Sequence, residues 1–294
     1  MTNQTRCALE SDIAALHNIW ESAFGEGDSV DFFQFYFKPE LCIVAEREGS
    51  PAGAGYLVPF GNLICGGLTV PCAMIYAVAV LPEFRRLGLG ESVVRGLIEY
   101  GKASGYPAIV LCPSDDSLFR YYSERSVLKD WFFTTERQMT QIRPSANTAR
   151  LTRISAEEYR SLRENLLAGM PHIAMDRDAF LFQDILCRHE GGGLFLAATT
   201  GGDACAVVER QPGGAVWVKE LLAPAGCEQE ALSSIAMEFP ASSYLIRTPT
   251  SCFRPNSEST ASSEARRFGM LSASPELITP SHSPALPWYG LAFD

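Results

Sequence analysis

The sequence predicts an α/β fold made of two tandem domains, each with a central mixed, mostly antiparallel sheet flanked by helices. The first observation is length, because 294 residues exceed the roughly 100 to 200 that one domain usually needs. The second is composition: 47% of the residues are apolar, 20% are charged and the mean hydropathy is +0.02, which is typical of a packed globular protein. The third is that the order of helical and strand-like patterns in the first half recurs in the second. We place the domains at residues 1–145 and 146–294.

The first half begins with a helix over 9–24, entered at Ser11 or Asp12, and a short helix after Asp28. Three strand-like runs separated by Gly or Pro then predict an antiparallel meander. A glycine-rich loop and a helix follow, then a buried strand, a helix capped by Asp115 or Asp116, and two closing strands. The predicted strands are 41–46, 52–64, 69–81, 108–112, 131–135 and 138–142.

A Pro-, Ser- and Asn-rich joint at residues 143–148 separates the halves, and the same order of elements starts again after it. Ser155 and Glu158 form a capping box that predicts a helix ending near Gly169. Residues 288–293 are expected to dock as a closing strand. The other predicted elements are strands 151–154, 194–199, 204–210, 215–222 and 243–248, and helices 177–189 and 228–238.

Residues 31–37 hold five aromatic residues in seven positions. This density has two interpretations, because the rings could belong to the core or could line a substrate pocket. The sequence leaves both open.

The charge balance and the scattered cysteines restrict the function. With 24 Lys and Arg against 34 Asp and Glu, the net charge of −10 opposes binding of a nucleic acid and favours a cationic or amine substrate. The nine cysteines form no CxxC pair and the four histidines no HExxH pattern, so we expect reduced, buried thiols and no metal site. The longest apolar run, 73–81, is about half the roughly 20 residues of a membrane helix, and the N terminus lacks a signal-peptide pattern. We therefore expect a cytoplasmic protein that binds no membrane.

The segment with recognisable chemistry is Arg85–Gly90, Arg-Arg-Leu-Gly-Leu-Gly, between a strand and a helix. Backbone N–H groups at a glycine-rich turn and a helix N-terminus bind phosphate oxygens, and glycines let the backbone come close. The segment is neither a Walker A loop, because it continues Glu91-Ser92, nor a Rossmann fingerprint, because Val93 stands where a third glycine is required. A tight turn with solvent-facing arginines is the alternative.

Residues 78–90, VAVLPEFRRLGLG, resemble the acyl-CoA signature of the GNAT acetyltransferase superfamily, whose loop follows the pattern Arg/Gln-x-x-Gly-x-Gly/Ala. Arg85, Gly88 and Gly90 match that pattern, and the resemblance extends over about residues 5–142. It implies that the loop amides hold the diphosphate of acetyl-CoA and that the preceding strand binds the pantetheine arm and faces the thioester. The residues implied to bind acetyl-CoA are Val78, Ala79, Val80, Arg85, Arg86, Leu87, Gly88, Leu89, Gly90 and Glu91.

A second element is similar to the superfamily's helix pattern Leu/Phe-Tyr-x-x-x-Gly-Phe. Residues 121–127, YYSERSV, place Tyr122 at the family tyrosine, whose hydroxyl would protonate the leaving thiolate. The chain departs from the pattern at Ser126 and Val127, where Gly and Phe are usual, which changes the turn after the helix. A core tyrosine beside Tyr121 is the alternative.

The resemblance implies an N-acetyltransferase in which an amine of a small molecule or protein attacks acetyl-CoA directly in a ternary complex. No general base can be assigned, since water and any of four carboxylates remain open. The rival interpretation is an acyl-CoA-binding regulatory or partner-binding module without turnover. Self-association into a homo-oligomer is also left open. The four carboxylates are Glu21, Glu26, Asp28 and Asp31.

The outline is also similar to acetyltransferases of the enhanced-intracellular-survival type, which acylate aminoglycosides and lysines and use a chain-terminal carboxylate. That group carries a third, sterol-carrier-like domain, for which we expect no room here. At the C terminus we favour a docked strand over a role for Asp294 in an active site.

In the second half, residues 223–230, APAGCEQE, replace the phosphate loop with one glycine, no arginine and two glutamates that would repel a diphosphate. We expect this copy to bind no CoA. Residues 266–270, RRFGM, resemble the Phe-Gly turn that ends the family's tyrosine helix. The second domain is therefore interpreted as a degenerate copy that covers the first domain or shapes the acceptor cleft.

Overall fold

A computed structural model of the chain describes residues 4–25, 29–140, 142, 150–250, 265–278 and 286–293. The chain forms two compact units, and each unit takes segments from both halves of the sequence. The joint at 143–148 lies outside the described residues, and the domain limits of 1–145 and 146–294 stay a prediction. The first unit comprises Met1–Leu63, Leu68–Trp131 and Gly269–Ile278, and the second comprises Ile64–Gly67, Phe132–Phe268 and Thr279–Asp294.

Helices and strands of the first half follow the predicted order. The amphipathic pattern of the first helix buries Leu16, Ile19 and Trp20. Asp12 lies at its N-cap position, but the carboxylate binds Arg6 at 2.6 Å and so does not cap the helix. The elements are β1 Thr5–Cys7, α1 Ile13–Phe24, α2 Ser29–Phe35, β2 Cys42–Arg47, β3 Ser50–Cys65, β4 Leu68–Val80, α3 Leu89–Ala103, β5 Ala108–Leu111 and α4 Asp116–Arg125.

The sheet of the first unit has the order β1-β2-β3-β4-β5-β13, in which β13 is Arg266–Ser272. β1, β2 and β3 pair antiparallel, β4 and β5 pair parallel, and β13 is antiparallel to β5. α3 buries Val93, Val94 and Leu97 against this sheet. A Cβ on Gly55 of β3 would lie 2.9 Å from Val93 Cγ1, so a glycine is needed there for α3 to come this close. The predicted mixed α/β fold is confirmed.

The second unit repeats the plan. Its sheet has the order β6-β12-β11-β10-β9-β7, with β11 and β12 parallel. The capping box at Ser155 and Glu158 is present and starts α5. The elements are β6 Lys129–Thr140, β7 Leu151–Arg153, α5 Ala156–Leu166, β8 His172–Met175, α6 Arg177–His189, β9 Gly193–Thr199, β10 Gly202–Gln211, β11 Ala215–Leu222, α7 Glu228–Glu238 and β12 Ser243–Thr248.

The two closing strands predicted at 131–135 and 138–142 are wrong as separate elements, because residues 129–140 form the single strand β6. The charged residues in its middle do not interrupt it, since they have partners. Glu136 binds Arg247 at 3.0 Å and Arg266 at 2.7 Å.

Two C-terminal predictions are also wrong. Residues 266–270 are not a turn at the end of a helix but belong to β13, where Met270 pairs with Leu111 of β5. Residues 288–293 are buried but form no strand, and Trp288 makes a single parallel bridge to His172.

Candidate active site

β4 and β5 separate before β4 ends. Cys72 lies opposite Ala108 and Ile75 opposite Leu111, and β5 ends there whereas β4 continues to Val80. The paired residues of β4 are buried, and the three that follow the last pair are partly exposed. The backbone at 78–80, predicted to bind the pantetheine arm, therefore lies just beyond the part of β4 that β5 pairs.

Ala77 marks the same place in β4. Its φ of 47° is left-handed, which costs a residue with a side chain roughly 1–2 kcal/mol. It breaks the regular geometry of β4 two residues after the last pair with β5. Backbone strain of this kind concentrates at ligand-binding sites.

The predicted phosphate loop connects β4 to α3. Arg86 (φ 64°) and Gly88 (φ 79°) both take the left-handed conformation. Gly88 is the N-cap residue of α3 and has no side chain to cover the helix end. Residues 85–88 are exposed. Left-handed residues turn neighbouring N–H groups toward one side, and the helix dipole adds positive potential, so the loop fits a diphosphate.

The charges at the loop favour an anion. Arg85 Nε donates to the carbonyl oxygen of Val80 at 3.2 Å, which ties the loop to the end of β4. Glu91 lies in the first turn of α3, and Arg95 Nη2 is 3.4 Å from its Oε1. The loop and the first turn of α3 therefore hold two arginines, Arg85 and Arg86, and one carboxylate, which already has a cationic partner.

Tyr121 of α4 lies beside this loop. A Cβ on Gly90 would be 3.4 Å from the Tyr121 hydroxyl. The guanidinium of Arg125 lies 4.8 Å from the centre of the Tyr121 ring. Burial is the main cause that raises the Tyr121 pKa. The sequence pattern did not predict this placement, because it fixes positions along α4 and not what each side chain meets.

Tyr122, the predicted general acid, lies on the buried face of α4. It is 8% exposed within the core cluster of the first unit, and its ring centre is 5.2 Å from that of Tyr121. Burial, followed by the charges of Tyr121 and Asp115, raises the Tyr122 pKa, so the phenol keeps its proton at neutral pH. Its catalytic role stays a prediction.

The turn after α4 does without the usual glycine. Ser126 has an extended backbone (φ −140°, ψ −180°), which any residue can adopt. Its N–H and hydroxyl both donate to the Tyr122 carbonyl, at 2.9 and 2.6 Å, and the hydroxyl accepts from Leu128 N–H at 3.2 Å. Although Ser126 replaces the usual glycine, its hydrogen bonds therefore still fix the C-terminal end of α4.

The carboxylates proposed as bases are only partly described. Glu21 is exposed on α1, and Asp31 is half-buried in α2. Glu26, Asp28 and Asp294 lie outside the described residues. The geometry does not single out a base.

Residues 13–125 match the family model of the Acetyltransferase (GNAT) family. The chain carries a GNAT acetyltransferase domain. The match covers the loop, β4, β5 and α4, which together form the candidate site. No curated protein sequence matches the chain significantly.

Solved structures extend the similarity of fold beyond this GNAT domain. A GCN5-related N-acetyltransferase from Anabaena variabilis ATCC 29413 has a TM-score of 0.67 at 19% identity, covering 92% of this chain and 72% of that one. Eis1 from Mycobacterium abscessus has a TM-score of 0.62 at 14% identity, with 92% and 73% covered. A putative acetyltransferase from Pyrococcus horikoshii has a TM-score of 0.57 at 16% identity, with 98% and 95% covered. At these identities the likeness shows the fold.

The second unit differs from the GNAT domain where its loop should be. Gly226 is left-handed (φ 83°), like its counterpart before α3. Glu230, in the first turn of α7, accepts hydrogen bonds from the Thr200 N–H and hydroxyl at 2.8 and 2.7 Å. Glu228, in the same turn, forms an ion pair with Arg137. Two carboxylates therefore lie at the positive end of α7, where the GNAT domain presents arginines and glycines.

The second unit also differs between its parallel strands. Residues 216–218 of β11 pair with 244–246 of β12. Beyond the last pair, Arg247 Nη1 donates to the Gly290 carbonyl at 3.0 Å, and a Cβ on Gly290 would collide with Glu220 Oε1. The segment 286–293 therefore fills the space between these two strands.

A buried ion pair holds this C-terminal segment. Arg163 and Glu220 are both 0% exposed, and Arg163 Nε lies 3.0 Å from Glu220 Oε2. Arg163 Nη2 donates to the Tyr289 carbonyl at 3.0 Å, and Trp288 Nε1 donates to Glu220 Oε1 at 2.7 Å. The charged pair is thus hydrogen-bonded to the segment from both sides.

No described helix is long and apolar enough to cross a membrane. No group of three or more His, Cys, Asp or Glu side chains among the described residues is placed to hold a metal ion. Eight cysteines are described, and none of these eight forms a disulfide bond.

Proposed function

We propose that this protein transfers the acetyl group of acetyl-CoA to a primary amine, through direct attack of the amine inside a ternary complex. The observation that carries the proposal is the loop Arg85–Gly90, in which residues 85–88 are exposed and Arg86 and Gly88 are left-handed, and which opens α3 a few residues after the part of β4 that β5 does not pair. Acetyl-CoA supplies the activated acetyl thioester. Its amine acceptor is a small molecule or a protein side chain.

The loop binds the diphosphate. Backbone N–H groups of Arg86–Glu91 and the dipole of α3 face it, and Arg85 and Arg86 add positive charge. Gly90 lets the backbone come close, since a side chain there would enter the space between the loop and Tyr121. The backbone of Val78–Val80 holds the pantetheine arm.

The acyl transfer depends mainly on how the amine and the thioester are positioned relative to each other. The amine nitrogen forms a bond to the thioester carbonyl carbon, the carbon–sulfur bond breaks, and the nitrogen releases a proton to water or a nearby carboxylate. A backbone amide near Val80 stabilises the charge on the carbonyl oxygen. Holding amine and thioester in line supplies most of the acceleration.

Tyr122 donates a proton to the departing thiolate. The phenol is protonated at neutral pH, as an ordinary tyrosine is, so it has a proton to donate, whereas the burial that raises the Tyr122 pKa makes it a weaker acid. The two hydrogen bonds from Ser126 to the Tyr122 carbonyl fix the backbone that carries it.

The second unit contributes no second cofactor site in this proposal, and its role is structural. We also propose a reducing, cytoplasmic location, supported by the eight described cysteines, which form no disulfide bond. No nucleic-acid partner is expected for a chain with a net charge of −10.

The test is release of the CoA thiol from acetyl-CoA by the purified protein over a panel of amines. We expect release that depends on the amine and disappears in the Gly88→Glu variant. Binding of acetyl-CoA without release for any amine would instead favour an acyl-CoA-binding module. Absence of binding would contradict the proposal altogether.

A further inference from the structure

Six aromatic side chains of the first unit form one cluster, which we call the aromatic cluster. The Phe32 ring is central: its centre lies 5.0 Å from that of Trp20, 4.9 Å from Tyr56 and 5.3 Å from Tyr76. Trp20 and Phe32 are buried, whereas Phe33, Phe37 and Tyr76 are only half-buried. The cluster consists of Trp20, Phe32, Phe33, Phe37, Tyr56 and Tyr76.

The cluster reaches the strand that faces the thioester. Tyr76 is the residue before the left-handed Ala77, and it is the first residue of β4 after the last pair with β5. Trp20 lies 5.9 Å from Tyr76, ring centre to ring centre. The aromatic cluster is therefore next to the backbone at which the proposed acyl transfer takes place.

Tyr56 contributes a hydroxyl group, a polar group, to the aromatic cluster. Its side chain is 3% exposed, and its buried hydroxyl has no hydrogen-bond partner among the described residues. Burial raises the Tyr56 pKa, so the hydroxyl stays a neutral donor and acceptor. Buried hydroxyl groups normally have partners, so an orphaned one inside an aromatic cluster points to a ligand that supplies one.

The charge around the cluster favours a cation. Residues 7–37, which include α1 and α2, contain six Asp or Glu and no Lys or Arg, although Asp12 is paired with Arg6 and His17 stacks on Phe33. Glu21 is exposed on α1, and Asp31 is half-buried in α2. Ring faces attract an ammonium group as well as apolar surface.

We propose that the acceptor is a primary amine carried by a flat aromatic body, cationic in solution, whose ring stacks in the aromatic cluster while a polar group of the ligand binds the Tyr56 hydroxyl. This inference rests on the proposed acetyltransferase function. A polyhydroxylated amine would face rings that cannot satisfy its hydroxyl groups, which disfavours that class.

The first test compares acceptors at saturating acetyl-CoA. Tyramine and 2-phenylethylamine are measured against ethanolamine, spermidine and kanamycin. Burial of one ring predicts kcat/KM values about 10- to 100-fold higher for the aromatic amines. Preference for a hydrophilic amine would overturn this inference alone, whereas release of CoA with no amine at all would overturn the proposed function as well.

The second test uses matched variants of α2. Phe33→Ala removes a ring of the aromatic cluster, whereas Phe35→Ala removes a ring that is 37% exposed and packs on Tyr36 at the edge of the cluster. We expect KM for 2-phenylethylamine to rise about 10-fold in Phe33→Ala only, with unchanged affinity for acetyl-CoA in both. Equal effects of the two variants would contradict the assignment.

Tyr56→Phe separates binding from folding. Removing a buried hydroxyl that lacks a partner should leave the melting temperature unchanged or raise it. We expect KM for tyramine to rise all the same, because the ligand loses its hydrogen bond. An unchanged KM for tyramine would contradict the role of Tyr56.

Discussion

The two units of this chain differ at the end of their parallel strand pairs, β4 and β5 in the first and β11 and β12 in the second. In the first, β4 runs on after its pairing with β5 has ended, and an arginine- and glycine-rich loop leads into α3. In the second, the segment 286–293 lies between β11 and β12, and glutamates lie at the start of α7. The difference teaches that the parallel strand pair alone does not make a cofactor site. In our proposal it becomes one in the first unit because β5 pairs only Cys72–Ile75 of β4, and because the one carboxylate in the first turn of α3, Glu91, already has Arg95 as its cationic partner.

The largest expected effect is on kcat, and it tests whether acyl transfer takes place in the first unit. Tyr122→Phe removes the proposed acid and should lower kcat by ~10² to 10⁴-fold, with nearly unchanged affinity for acetyl-CoA. Steady-state kinetics with direct binding measurements will show this.

Tyr121→Phe is the companion variant. Its hydroxyl lies at Gly90 and the start of α3, so its loss should alter the affinity for acetyl-CoA and leave kcat largely intact. If Tyr121→Phe lost its kcat and Tyr122→Phe kept it, the motif would be assigned one residue off.

The second prediction concerns the buried ion pair that is hydrogen-bonded to the segment 286–293 in the second unit. Arg163→Met leaves Glu220 buried without its cationic partner, which should cost about 3–5 kcal/mol in the free energy of unfolding. Denaturant unfolding measures it. The double variant Arg163→Met with Glu220→Leu should recover much of that loss, because no buried charge remains. A single variant as stable as the parent would show that the ion pair does not hold the segment.

The third prediction compares two glycines before equivalent helices. Gly88→Glu places a side chain and a negative charge in the loop, so saturating acetyl-CoA at ~100 times Kd should no longer add its roughly 2.7 kcal/mol of stability. Thermal unfolding with and without ligand measures it. Gly226→Glu is the matched control. Both glycines are left-handed, so a glutamate introduces similar backbone strain at either position. Loss of the ligand effect in both variants would contradict the assignment of the site to the first unit.

The fourth prediction is the absence of an effect. Titration calorimetry should give one acetyl-CoA per chain, because Glu228 and Glu230 lie at the start of α7 and Gly290 lies between β11 and β12. Two equivalent sites per chain would show that the second unit has been misinterpreted.

The sequence predicted those features that depend on neighbours along the chain. The Arg85–Gly90 loop follows from the spacing of two glycines after a strand, and the capping box at Ser155 starts α5 as expected. Helix α7 and strand β12 have their predicted limits, and each ends shortly before a proline, Pro240 and Pro249.

Features that depend on distant partners were missed. β6 was split at its central charges, since nothing local reveals that Arg247 and Arg266 neutralise Glu136. β13 was mistaken for a turn because its partner, β5, lies far away in the sequence. Within the site, the position of Tyr121 at Gly90 depends on the angle between two helices, which no spacing records.

The pairing of β5 with β13 has a consequence for synthesis of the protein. Leu111 emerges from the ribosome about 160 residues before its partner Met270, which at 5–20 residues per second is an interval of about 8 to 30 s. During that interval one edge of β5 has no strand to cover it, and an uncovered edge is prone to pair with other chains. A fragment ending at residue 145 would keep this edge open permanently, so nascent-chain chaperones and full-length expression should matter more for this protein than its two-unit outline suggests.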